Sequence, residues 1–491
     1  TTEIYTLSLH DALPICFELW KTDGTQSNTA IVQNIYAGTG NSNPRFLANI
    51  NGTLYFTAQD GSMMTRANKV GREIWKSQGT ITTTTMVADI NTASADAFNS
   101  HFNNSNLLAS VGTVLYFVAD DGDGNQLWRS DGTALNTKKI TTGSFNFHTL
   151  IGTSSTMFVL VYDAPDYLLY KVNATATNIE KVGGVDVSVK VTGDVAQIGV
   201  SGSNLYYQRA DNNQVFVTAG TNAGQAVLVG GNPITGLLGS KAIGTAFYFA
   251  GSNGLYKIAT PPATAVEIVT TTNASITDAQ NLVSFKNALY FKRQEVGDIW
   301  RVNASGKGEL FLAEPSGYDF VYIVPGTAYL FFVANETRAG YKLWQWNGGT
   351  GTPAPLKDIN NNPFYLENLE IQTAGTLFYF LAKTINTTLY QSDGTEATTK
   401  PVHAVHGGVF SGVTKMFPGG TKIHFVYDDG THGQELWETA GTTLTTKLAK
   451  ELNLYGDTIF GTGLLVGTKL YFLADNGLTD LYGYGKELWV K

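Results

Sequence analysis

An aromatic residue returns at nearly even spacing along the chain: Trp20, Trp75, Trp128, Tyr170, Phe216, Tyr256, Trp300, Trp344, Tyr390, Trp437 and Trp489. The gaps run from about 40 to 55 residues and average near 47, the range in which repeats form solenoids, propellers or arrays. Around the best-kept anchors stand ELWKTDGT ending at Thr25, EIWKSQGT at Thr80, QLWRSDGT at Thr133, LYQSDGT at Thr395 and ELWETAGT at Thr442, and the chain closes on KELWVK. Such a period leaves few folds open. Each unit must be one supersecondary block that buries its apolar surface against the next.

Each unit holds four short strand candidates separated by turn residues. The first is a modest apolar run such as Phe46-Leu47-Ala48-Asn49-Ile50, and the second is denser, as in Leu54-Tyr55-Phe56, Leu115-Tyr116-Phe117, Leu289-Tyr290-Phe291 and Leu470-Tyr471-Phe472. The third carries the ELW motif, and the fourth is Val/Ile-rich, as in Met86-Val87-Ala88-Asp89-Ile90. A strand with one wet face alternates apolar and polar residues, whereas one covered on both faces reads as a continuous apolar run. Leu330-Phe331-Phe332 is continuous, which predicts sheets stacked face to face. No segment sustains the 3.6-residue period of an amphipathic helix. The expected fold is all-β, a β-propeller of about ten four-stranded blades, because eleven anchors enclose ten units.

Asp-Gly ends the third candidate at Asp23-Gly24, Asp131-Gly132 and Asp393-Gly394. Glycine takes positive φ there without a Cβ clash, and the Asp side chain can cap nearby backbone N–H groups. Recurrence at one register makes these turns architecture first. Seven of the eight tryptophans (Trp20, Trp75, Trp128, Trp300, Trp344, Trp437 and Trp489) stand at the anchor, and Trp346 does not. A sugar-stacking platform is one reading of them. Packing between sheets, at roughly 150–250 Å² buried per ring, is the better one, because Tyr390 and other Tyr or Phe anchors replace Trp without breaking the period.

Thr1–Ile15 match, without a mismatch, the translation of a widely used short-read sequencing adapter, and are set aside as non-native. Residues 16–491 are then the repeat domain, expected to be cut at one or both ends, since the chain starts and stops on a third strand. Without Glu3 and Asp11 the formal net charge moves from −8 to −6. Mild acidity and the absence of any Lys/Arg cluster argue against nucleic acid as a partner. No apolar run is long enough for a membrane helix. Cys16 is the single cysteine, so disulfides and Cys-based metal sites or nucleophiles are excluded within the chain.

The strings ELWKTDGT, QLWRSDGT and LYQSDGT resemble the ELWxxDGT repeat proteins, which are large exported bacterial proteins. The resemblance runs through nearly all of Phe17 to Lys491 by its period, and is weak between Tyr170 and Trp300, where LYKVNA, VFVTAGT, LYKIAT and IWRVNA stand instead. It implies export or surface display, and it brings no active-site residues with it. The signatures of WD40, kelch and integrin-type propellers are missing.

For chemistry, Asp120-Asp121-Gly122-Asp123-Gly124-Asn125 places oxygen ligands at alternate positions around a turn, a pattern that suits Ca²⁺. It lacks a Glu at the twelfth position, and the related loops at Asp428-Asp429-Gly430 and Asp475-Asn476-Gly477 lack the third ligand, so an Asp-Gly hairpin turn is the preferred reading. His403 and His406 form H-x-x-H without the helix or glutamate of a zinc hydrolase. Asp163, Asp166, Glu295, Asp298, Glu314 and Glu336 are scattered, and spacing shows no converging pair. The inserts Asp60 to Arg72 and Asn91 to Asn106 are ordinary polar loops or binding loops, since loops on a rigid scaffold carry binding. The expectation is therefore a non-catalytic exported or surface protein, monomeric and without a cofactor, that adheres to or recognises a glycan or protein. The alternative is a propeller-type glycan-active enzyme or the accessory domain of one.

Overall fold

Short runs with dense β-branched and aromatic content build a fold made only of strands, turns and single 3₁₀ turns. A computed structural model describes residues 17–475 apart from 24, 37–39, 62–70, 93–94, 99–106, 174, 193–194, 260–264, 327, 337–339, 358–364, 384–386, 403–409, 411, 418 and 454–456. Among the described residues there is no α-helix. Trp489, His403, His406, the adapter-derived segment and most of the insert after Asp60 lie outside them.

The strands form antiparallel four-stranded sheets in sequence order, for example Arg45–Ile50, Thr53–Gln59, Arg72–Ser77 and Thr85–Ala88. Besides two small two-stranded hairpins, two larger sheets depart from this rule. The strands from Tyr318 to Pro401 make one eight-stranded sheet, because Gly340–Trp346 pairs with Tyr365–Ala374 through Tyr341↔Leu366 and Lys342↔Tyr365. Another sheet is assembled from both ends of the chain. Its strands Ile459–Val466 and Lys469–Asp475 are completed by Glu18–Thr22 and Ala30–Ile31, with Glu18↔Ala474, Trp20↔Phe472 and Thr22↔Leu470 in register.

The chain divides into two compact units, the described parts of Thr1–Phe102, Asp120–Gly122 and His403–Lys491 and those of Asn103–Ala119 and Asp123–Val402. Within each unit the sheets stack face to face. Tyr471 and Leu473 of one strand join a core with Leu54, Phe56 and Trp75, while Leu470, Phe472 and Ala474 of the same strand join another with Trp20, Phe417 and Leu436. Leu330-Phe331-Phe332 splits the same way between two cores of the larger unit. Two-sided burial is why these strands carry no polar alternation. Six first strands are broken by a β-bulge or register irregularity, at Arg45/Ala48, Phe147/Thr149, Gln280/Val283, Phe320/Tyr322, Leu366/Ile371 and Phe460/Gly463.

The third-strand turn also joins neighbouring repeats. Gly394 has φ +95, its carbonyl accepts from Gln345 Nε2 of the preceding half of the eight-stranded sheet, and a Cβ there would overlap the Tyr329 ring. Lys21 Nζ donates to the Gly79 carbonyl in the same manner, and Tyr471 Oη abuts that glycine. Gly394→Ala is therefore expected to combine backbone strain of about 1–3 kcal/mol with a collision against the Tyr329 ring. Gly143→Ala, at φ +88 with open space around it, should show the strain alone. Urea unfolding midpoints would compare the two; equal losses would mean that the turn is no joint between repeats.

Candidate functional site

The side chains of the repeat motif converge at the two ends of the third strand. At its far end the D-G-T turn is closed by the side chains that the sequence singles out. Asp131 Oδ1 accepts from Thr133 N at 2.9 Å and Thr133 Oγ1 at 2.6 Å, and its Oδ2 accepts from Asn136 at 2.6 Å. Asp23 repeats the pattern with Thr25 and Asn28, and Asp393 with Thr395 and Thr398. The Thr133 and Asn136 donors hold the Asp131 carboxyl below its usual range. A second element was not read from the sequence. A hydroxyl two residues after the anchor meets a threonine seven residues on: Thr22 with Thr29 at 2.6 Å, Ser77 with Thr84 at 2.7 Å, Ser130 with Thr137 at 2.8 Å, Ser392 with Thr399 at 2.7 Å and Thr439 with Thr446 at 2.7 Å.

At the near end lies the glutamate of ELW. Glu18, Glu73 and Glu435 are fully buried. Glu435 accepts from Leu452 N, Asn453 N and Thr458 Oγ1, each at 2.8 Å. Glu73 accepts from Ile90 N at 2.9 Å and Asn91 N at 3.4 Å, and Glu18 from Tyr36 N at 3.4 Å, Ser42 N at 3.2 Å and Ser42 Oγ. The residue before each glutamate donates its N–H to another loop side chain: Phe17 to Asn41 at 2.7 Å, Arg72 to Asp96 at 2.7 Å and Gln434 to Asp457 at 2.8 Å. Each carboxylate thus clamps the loop that leaves its own sheet. The sequence carried a signal for this, since Glu recurs one residue before the Leu, but its partners are backbone groups that leave no pattern.

The tryptophan anchors sit between sheets to different depths. Trp20, Trp75 and Trp437 are buried and Trp128, Trp300, Trp344 and Tyr390 half-buried. Trp75 Nε1 donates to the Ala58 carbonyl at 3.2 Å. Trp346, which falls outside the repeat register, is also buried and packs on Phe285, Tyr290 and Phe311.

The candidate Ca²⁺ loop is a hairpin turn. Asp120 Oδ1 accepts from Gly122 N at 2.8 Å, as Asp428 Oδ1 does from Gly430 N at 2.8 Å, so both carboxylates close their own hairpins. Among the described residues no three His, Cys, Asp or Glu side chains are grouped to hold a metal ion. Of the scattered acids, Asp298 accepts from Glu314 N at 2.7 Å, Glu336 pairs with Lys342 at 2.7 Å, and Asp163 faces Asp166 across a hairpin.

Two histidines, neither singled out by sequence, occupy distinctive environments. His432 Nδ1 lies 2.7 Å from Asp429 Oδ2, while Asp429 Oδ1 accepts from the N–H groups of Thr431 and His432, and the ring is one-third exposed. Asp429 raises the His432 pKa. His424 stands where other sheets carry the tyrosine of LYF. It is buried, neither ring nitrogen has a hydrogen-bond partner, and Glu438 Oε2 is 3.9 Å away and ion-paired to Lys422 at 2.7 Å. Burial, with Lys422 beside it, pushes His424 down to about 3.

No protein-family model matches the chain, and no curated protein matches it. Solved structures to which the chain shows similarity include prolyl oligopeptidase B from Galerina marginata, at 13% identity and a TM-score of 0.33 over 88% of this chain and 54% of that one. A structure from a study of two prolyl endopeptidases gives 15% and 0.32 over 75% and 52%. Citrobacter koseri AztD gives 13% and 0.35 over 60% and 85%. The chain spans about half the length of the two prolyl peptidases.

Two titrations with opposite sign follow. Burial pushes Glu18 up to about 7, Glu73 to about 8 and Glu435 to about 7, against the N–H donors that pull them down. A raised folded-state pKa contributes stability that is complete below about 4.5 and lost as pH rises through 7 to 8. Glu73→Gln is expected to reduce this loss, read as a smaller fall in Tm between pH 5 and pH 8.5; an unchanged fall would remove Glu73 as its cause. His424 acts the other way. Its depressed pKa contributes stability present above about 6.5 and lost as pH falls toward 3. His424→Tyr, which restores the residue of the other sheets, should shrink the acid-side drop in Tm, and a drop as large as in the native chain would count against this role.

Proposed function

We propose that the chain is a non-catalytic, exported or cell-surface β-propeller of about ten blades, related to the ELWxxDGT repeat proteins, that recognises a glycan or a protein through its loops. One observation carries the reading: the motif's carboxylates and hydroxyls are hydrogen-bonded to the backbone and side chains of their own repeats, and the buried glutamates fix the loops at one end of the sheets. Such a division, a rigid scaffold with varied loops held at defined points, suits binding. The blade reading is supported by stacked four-stranded sheets and by the sheet shared between the two ends of the chain.

A second reading, a glycan-active enzyme or the accessory domain of one, is favoured by the Asp429–His432 pair. A carboxylate that fixes one ring nitrogen leaves the other oriented for proton transfer. The test is to screen the purified chain on an array of bacterial and host glycans and on immobilised extracellular proteins, then to incubate each bound glycan with it and analyse the products by mass spectrometry. Binding without product is the expected result. Turnover that disappears in His432→Gln would overturn the non-catalytic reading in favour of the enzyme.

A further inference from the structure

In one unit the repeat turn reads Asn-Gly where the best-kept units read Asp-Gly. Three residues after the anchor stand Asp23, Asp131 and Asp393, and in three other units Asn173, Asn303 and Asn347. Ala174 and Ala304 follow the first two asparagines, whereas Gly348 follows Asn347. That difference is chemical. The backbone nitrogen after an asparagine can attack the side-chain carbonyl and close a five-membered imide, and a glycine there puts no side chain in the way of the approach.

The surroundings of Asn347 favour this step. The residue is exposed, and its Oδ1 accepts from Gly349 N at 2.9 Å, so the side chain is folded back over its own turn. Its backbone carbonyl accepts from Lys286 Nζ at 2.7 Å. That carbonyl belongs to the peptide group whose nitrogen is Gly348 N. When this nitrogen gives up its proton, resonance places the negative charge on the carbonyl oxygen, and an ammonium already in position stabilises it. A Cβ on residue 348 would stand 2.7 Å from the same Nζ, so the glycine that opens the path for attack also leaves room for the lysine. Two further Asn-Gly pairs among the described residues are held differently. Gly52 N donates to Asn49 Oδ1 at 3.0 Å, and Asn253 Oδ1 accepts from Tyr256 Oη at 2.9 Å.

We propose that Asn347 is a site of spontaneous deamidation and that its aspartate product restores the Asp-Gly turn of the repeat. Gly348 N bonds to Asn347 Cγ, the Gly348 proton ends on the side-chain nitrogen, and that nitrogen leaves as ammonia. Water then opens the imide. Breaking the new Cγ–N bond leaves aspartate with the main chain as it was, whereas breaking the original C–N bond leaves isoaspartate, with a methylene added to the main chain. In the aspartate product the Gly349 N–H keeps a carboxylate acceptor, as the Thr133 N–H has in Asp131 at 2.9 Å, and the new negative charge lies beside Lys286.

The full chain, incubated in mildly alkaline buffer and sampled over time, is digested, and peptides carrying Asn51, Asn253 and Asn347 are followed by mass spectrometry. Conversion at Asn347 is expected to outrun the other two sites by at least about threefold; a rate no higher than at Asn51 would overturn the site. Lys286→Met should slow Asn347 by about threefold or more and leave Asn51 unchanged, while Lys286→Arg keeps the native rate. An Asn347 rate that Lys286→Met does not alter would overturn the part given to the lysine. Asn347→Asp, which is the product itself, is expected to unfold at the native Tm or above it, and a lower Tm would overturn the restored turn.

Discussion

A sheet buried on both faces has no wet side on which to leave a polar group, and each turn that joins its strands ends beside a neighbouring sheet. A hydroxyl, carboxylate or turn amide near those faces is therefore best satisfied within the repeat, since an unmade buried hydrogen bond costs about 1–3 kcal/mol; Tyr206 Oη and the His424 ring nitrogens are left without one. The ELWxxDGT motif is one solution to that demand. Leu19, Leu127 and Leu436 supply buried surface, the aspartate and threonine close the turn, and the hydroxyl pair ties the third strand to the fourth. The glycine is needed where positive φ brings the backbone against side chains of the adjoining repeat, as at Gly79 and Gly394.

The same demand explains how the motif can fade while the fold continues. In the Tyr170 and Trp300 units the aspartate is replaced by asparagine, with Ala219 and Ala259 in the two units between, yet at both asparagines the turn survives. Asn173 Oδ1 accepts from Thr177 N at 2.9 Å, and Asn303 Oδ1 from Ser305 N at 3.1 Å and Ser305 Oγ at 2.7 Å. Gln78 and Ala440 carry no carboxylate, and there Thr83 and Thr445 accept the turn amides instead. At the other end of the strand the clamp position is more varied. Asp298 still reaches a loop N–H, whereas Lys342 reverses the charge and is held by Glu336 and Tyr318 where two sheets merge. Backbone geometry is kept, and the chemistry that satisfies it drifts.

These facts separate what the sequence made legible from what it hid. Period, strand number, two-sided burial and the Asx-type turn were readable, because each leaves a local pattern of residue types. The bulges of the first strands were not, since a bulge at Phe320/Tyr322 or Gln280/Val283 inserts one residue without a compositional mark. The clamp was half-visible: the glutamates recur, but their acceptor role depends on loop amides such as Leu452 and Asn453 that any residue supplies. His424 was invisible because a histidine in a dense strand reads as an ordinary interruption, and only burial beside Glu438 and Lys422 distinguishes it. The small hairpins Val191–Thr192 with Val195–Ala196 and Leu228–Val229 with Asn232–Pro233 were missed for a related reason, being too short for a periodic signal.

Function has to be sought where this accounting leaves groups over. A carboxylate that accepts three donors at 2.8 Å and is fully buried, as Glu435 is, is closed to a substrate, and the turn aspartates are bonded to their own turns. Conserving those residues would keep the scaffold and say little about the ligand. The loops beyond the clamps are under no such obligation, because their backbone is already fixed at the glutamate and at the Asn41, Asp96 or Asp457 side chain. Their remaining side chains can vary without unseating the sheet. The clamp therefore does more than stabilise: by anchoring each loop at its root, it lets one repeat carry many different surfaces.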